Sequence, residues 1–116
     1  MRHDPQAYLW DVRTAADRIA AFVRGMTLDD FQRDVLVQSA VERQLEIVGE
    51  ALNQLDKLAP SIARAIPDLR RIVGLRNILI HGYAVVDHTL IWRIIHESLP
   101  ALRHAVDRLV PAPRSE

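Results

Sequence analysis

The sequence predicts an all-α fold, most simply an antiparallel four-helix bundle with a short extra helical turn. Three observations predict it. The apolar fraction is 49% with only 5% aromatics, so Leu, Ile, Val and Ala dominate, which suits helix-on-helix packing. Apolar residues recur every three or four positions along most of the chain. No stretch sustains the alternation of a half-buried strand.

The elements follow in order. Asp4 reads as an N-cap with Pro5 at the first helical position, and Tyr8, Leu9, Val12, Ala15, Ala16, Ile19 and Phe22/Val23 then recur on one face. Gly25 stands where a C-terminal glycine is expected. Thr27, with Asp30 three residues on, caps a long second helix over residues 28–57. Phe31, Val35, Val41, Leu45, Val48, Leu52 and Leu55 mark its apolar side. Gly49 lies in its middle at a cost of about 1 kcal/mol against alanine, a cost that close approach by another helix would justify. The two prolines of "APSIARAIPD" imply a loop with one helical turn. Asp68 caps a third helix to residue 81, and Gly82 ends it. Asp87 caps the fourth, which carries Leu90, Ile91, Ile94, Ile95, Leu99, Leu102, Val106 and Leu109 and is kinked or restarted at Pro100. Residues 1–110 make one domain, and "PAPRSE", residues 111–116, reads as a flexible tail.

Formal net charge is zero, which argues against a strongly basic nucleic-acid glue and leaves room for a local patch. The absence of cysteine excludes disulfides, thiolate nucleophiles and cysteine–zinc sites. The N-terminus has no apolar signal region, and no run reaches the roughly 18 apolar residues of a membrane span, so the expected home is the cytoplasm.

The segment "LRNILIHGYAVVD", residues 75–87, sets Arg76, Asn77, His81 and Tyr83 among aliphatic residues. At about 100° per residue, Ile72, Leu75 and Leu79 share one stripe, which belongs to the core. Positions 73, 76, 77, 80 and 81 follow the i, i+3, i+4, i+7, i+8 spacing of a second face. That face carries Arg76, Asn77 and His81, and a second copy of the chain meeting Val73 and Ile80 would bring two such sets together. Equally, Val73 and Ile80 could face the chain's own core, with Arg76 and His81 at its rim.

"RNILIHGY" matches the R-N-x-x-x-H-x-Y motif of HepT-like proteins of the HEPN superfamily. "RQLEIVGEAL" at residues 43–52 and "WRIIHESLPALR" at residues 92–103 are similar to the same family, so the resemblance covers residues 5–110. It implies an all-α homodimer acting as the toxin of a type VII-like toxin–antitoxin pair. It implies metal-independent ribonuclease activity at the dimer interface, with no cofactor. The implied partner is an MntA-like minimal nucleotidyltransferase antitoxin, which transfers AMP to the motif tyrosine. Carried over by position, Arg76 and His81 are catalytic with Asn77 in support, and Tyr83 is the modified residue.

The chemistry is coherent. RNA supplies its own nucleophile, the 2′-hydroxyl. An imidazole is suited to taking that proton, and a guanidinium offers fixed donors to phosphate oxygens. An asparagine can orient the histidine or hold a phosphate oxygen. The expected product is a 2′,3′-cyclic phosphate end. An AMP group on Tyr83, seven residues after Arg76, would obstruct RNA and compete with its phosphate.

Other candidates read more plainly. Glu42, Glu46 and Glu50 form an acidic row that fits a solvated face, or ion pairing with Arg43 and the Arg70/Arg71/Arg76 group, better than a metal site. His88, His96 and His104 are spaced by eight and make no ligand set. Arg70 and Arg71 are candidate RNA or antitoxin contacts, with solvated helix charge as the default. Two other classes compete with the toxin. One is a non-catalytic subunit that docks a nucleotidyltransferase and presents nucleotide or substrate; the other is a plain helical dimerisation module.

Overall fold

Helix α1 (Pro5–Phe22) begins as its sequence dictates: Asp4 accepts from the Gln6 N–H at 2.9 Å and Pro5 stands at the first turn. The computed structural model describes residues 4–81 and 86–110, and every regular element among them is helical. Leu9, Val12, Ala15, Ala16 and Ile19 are buried, the period read from the sequence. Gly25 takes φ +78, a left-handed conformation that turns the chain after the helix.

A capping box then opens α2 (Leu28–Arg33). The Asp30 N–H donates to Thr27 Oγ1 at 3.1 Å, and the Thr27 N–H donates to Asp30 Oδ2 at 3.0 Å. That backbone hydrogen bond is the main reason the Asp30 carboxyl lies below its usual range.

The expected single helix over 28–57 is two helices. Asp34 interrupts it, and α3 runs Val35–Leu58. Two side chains explain the break. Asp34 Oδ1 caps α3 by accepting from the Val37 N–H at 3.1 Å. Buried Gln38 folds back to donate to the carbonyls of Phe31 (2.8 Å) and Gln32 (3.1 Å) at the end of α2, the first of which also accepts from the Asp34 N–H at 3.3 Å. Val35, expected on the apolar side, is 72% exposed as a result, whereas Val41, Leu45, Val48, Leu52 and Leu55 are fully buried.

The loop holds the expected turn, α4 (Pro60–Ala63), with Pro60 at its start. Helix α5 (Leu69–Ile80) starts after Asp68, but Asp68 does not cap it with its side chain. Its φ of 60 is left-handed, whereas a side-chain cap needs extended backbone to swing the carboxylate over the first turn. Gly82, expected to end α5, lies outside the described residues, as does the tail 111–116.

Asp87 caps α6 (His88–Arg93), accepting from the Leu90 N–H at 3.1 Å. A π-helical turn, Ile94–Ser98, joins it to α7 (Leu99–Leu109). The kink or restart expected at Pro100 takes the form of this π turn followed by α7, with Pro100, which lacks an N–H, in the first turn of the new helix. Ile94, Ile95 and Ser98 are all buried there, and Ser98 Oγ accepts from Arg71 Nη1 at 3.2 Å.

The core is one contiguous cluster drawn from α1 to α7, with α3 packed against both α1 and α5. No helix among the described residues is long and apolar enough to cross a membrane.

Candidate functional site

Helix α5 lies antiparallel on α3, because Arg70 meets Asp56 while Arg76 meets Glu50. Gly49 sets how closely they approach. A methyl there would overlap Arg76 Cβ and stand 2.8 Å from Arg76 Cγ and 3.3 Å from the Ile72 carbonyl oxygen. The mid-helix glycine is therefore the seat of the arginine stem, which accounts for a residue that weakens its own helix.

The head of Arg76 is bracketed. Nη2 donates to Glu50 Oε1 at 2.5 Å and Nη1 donates to Asn77 Oδ1 at 2.8 Å. Nε is buried and has no hydrogen-bond partner among the described residues. Glu50 is itself held, its Oε2 accepting from Gln54 Nε2 at 2.9 Å. A cleft of about 370 Å³ opens beside this group between α1, α3 and α5, lined by Tyr8, Asp11, Arg43, Glu46, Ile47, Glu50, Ala51, Arg76 and Ile80.

His81 is the residue on which α5 ends. Its N–H closes the helix onto the Asn77 carbonyl at 3.1 Å, and it is exposed. It stands five positions after Arg76, about 7.5 Å of helical rise. Asn77 is exposed and Arg76 half-buried. Tyr83 lies outside the described residues.

The core stripe reads as expected, with Ile72 and Leu75 buried and Leu79 packed against them. The second face is divided. Val73 packs partly against the chain's own core, whereas Ile80 is 46% exposed and its neighbour Ile78 is 55% exposed.

Arg70 and Arg71 do not line the Arg76 cleft. They join Arg64, Asp56 and Asp68 around a separate one of about 470 Å³ at the start of α5. Arg70 is paired with Asp56 at 3.1 Å and keeps a largely exposed side chain. The acidic row disperses among separate partners: Glu42 lies 3.4 Å from His88 Nε2, Glu46 pairs with Arg43 at 3.5 Å and Glu50 pairs with Arg76. Among the described residues no group of three metal-ligating side chains converges. The sequence named Glu50 only as one of three similar carboxylates, and the crossing of α5 over α3 is what brings Glu50 to Arg76.

Fold and site together define a small all-helical domain with an arginine-centred polar site at the C-terminal half of one helix. The chain belongs to the ribonuclease HepT-like family of the HEPN superfamily, whose description, "Ribonuclease HepT-like", matches residues 12–109. It is 32% identical over 108 residues to "Putative RNase MJ1380" of Methanocaldococcus jannaschii, covering 91% of this chain and 96% of that one. It is 33% identical over 109 residues to "Probable ribonuclease HepT" of Thermococcus cleftensis, covering 94% and 98%. With "Putative RNase TTE0752" of Caldanaerobacter subterraneus it shares 31% over 106 residues, covering 91% and 94%. No solved structure gives a significant match.

Proposed function

We propose that this chain is the toxin of a type VII-like toxin–antitoxin pair, a metal-independent endoribonuclease that works as a homodimer. The observation that carries the reading is the pre-set guanidinium of Arg76, held beside Asn77 at the edge of a cleft, with an exposed imidazole on the same helix. Family membership supports it.

In this reading His81 takes the proton from the 2′-hydroxyl. The 2′-oxygen forms a bond to phosphorus and the bond to the 5′-oxygen breaks. Arg76 donates to the non-bridging oxygens as charge builds on them. The leaving 5′-oxygen is protonated by a second imidazolium, which the twin subunit's copy of this helix would supply across a two-fold axis through Ile80 and the exposed side of α5. The products are a 2′,3′-cyclic phosphate and a 5′-hydroxyl. Arg70 and Arg71 extend the contact to neighbouring phosphates. Control comes from an MntA-like minimal nucleotidyltransferase that transfers AMP to Tyr83.

One observation favours a second reading, a non-catalytic subunit that docks a nucleotidyltransferase. The cleft beside Arg76 holds three carboxylates against two arginines, a poor field for a polyanion. Expression of the wild type and His81→Ala chains alone separates the two. The nuclease reading expects growth arrest and RNA with cyclic phosphate ends from the wild type only, with activity unchanged in EDTA. Cleavage by neither chain supports the docking subunit, and 3′-hydroxyl products contradict the mechanism. Covalent control has its own test: Tyr83→Phe should stay toxic with the antitoxin present, and protection of those cells would refute it.

A further inference from the structure

We propose that Glu50 is a positioning residue for Arg76, holding the guanidinium in the one pose that meets a scissile phosphate; the proposal rests on the ribonuclease reading above. Three independent constraints meet at this arginine. Gly49 lets its Cβ and Cγ rest on the backbone of α3. Glu50 Oε1 and Asn77 Oδ1 each take one terminal N–H. Gln54, one turn further along α3, fixes the other oxygen of Glu50. The result is a chain of hydrogen bonds, Gln54 to Glu50 to Arg76 to Asn77, that crosses from α3 to α5.

The count of donors gives this chain its meaning. A guanidinium has five N–H groups. Two are engaged here, and Nε is buried away from the cleft's solvent. One N–H therefore remains on each terminal nitrogen to donate to phosphate oxygens. The rotamer freedom of the arginine is lost on folding rather than on meeting RNA, which is the physical content of preorganisation. The carboxylate also repels RNA phosphate, so its presence does not serve ground-state affinity. What it supplies is orientation, and transition states lose more than ground states when a donor is misaligned. Glu50 needs only an acceptor oxygen for this work, not a titrating proton.

The test is steady-state cleavage of a short RNA by wild type, Glu50→Ala and Glu50→Gln, with Arg76 side-chain NMR on the same proteins. Glu50→Ala should lower kcat at least tenfold with KM unchanged or reduced. Glu50→Gln keeps an acceptor at the same reach and should stay within about threefold of wild type. The Arg76 Nε–Hε signal should report a rigid side chain in wild type and Glu50→Gln, and a mobile one in Glu50→Ala. Glu50 is half-exposed, so circular dichroism should find all three equally helical. An unchanged kcat in Glu50→Ala overturns the proposal. So does a glutamine variant as impaired as the alanine one, which would assign Glu50 a charge or proton-transfer role. If the wild type cuts no RNA, the ribonuclease reading fails, and the NMR comparison still decides whether Glu50 orders Arg76: equal mobility in all three proteins refutes it.

Discussion

Arg76 is where sequence pattern and packing meet. Its stem occupies the space that a side chain at position 49 would need, and its head is tied to Glu50 and Asn77. Gly49→Ala should therefore act in two ways. Overpacking against α5 should cost about 1–3 kcal/mol of stability, measured by urea unfolding. RNA cleavage per folded molecule should fall as well, because the helix shift moves Arg76. A variant with unchanged stability and activity would show that α5 does not depend on this contact. The sequence made the motif residues readable, and Gly49 as a point of close approach. It did not show which of Glu42, Glu46 and Glu50 meets Arg76, because an i, i+4 row looks the same from every member. Only the crossing of α5 over α3 singles out Glu50.

At the scale of the element, local signals and folded-back ones had different legibility. Asp4, Thr27 with Asp30, and Asp87 cap their helices with partners two or three residues away, so the order of residues reveals them. The break at Asp34 was hidden. Phe31, Val35 and the later apolar residues keep helical spacing, and the partner that stabilises the break, Gln38, returns from the next helix. Gln38→Ala would take that donor from the part-buried bond to the Gln32 carbonyl and leave the buried Phe31 carbonyl with the Asp34 N–H alone. It should cost about 1–3 kcal/mol, read as a lower denaturation midpoint with unchanged slope. A loss within experimental error would mean that water replaces the amide there.

For the whole molecule the open question of assembly becomes a question about one face. Ile78 and Ile80 are exposed at the end of α5, next to His81, while Val73 is already partly covered by the chain's own core. If the twin subunit meets this face, Ile80→Asp should lower the mass found by analytical ultracentrifugation from dimer to monomer and abolish RNA cleavage, leaving the helical spectrum intact. Val73→Asp should instead damage the fold, since its charge would enter a half-buried contact. A dimer that survives Ile80→Asp would place the interface elsewhere.

By itself the sequence determined the all-helical class, the local caps at Asp4, Thr27 and Asp87 though not the one expected at Asp68, the core stripe of α5 and the motif that marks Arg76, Asn77, His81 and Tyr83. These are properties of spacing and of short-range hydrogen bonds, which a linear order records directly. The tertiary structure alone decided that Arg76 is seated on Gly49 and held by Glu50. It alone decided that Arg70 and Arg71 line a different cleft, and that Val73 and Ile80 part company. Each of these depends on how two helices far apart in sequence cross, and the crossing is set by the packing of the whole core rather than by any one stretch of residues.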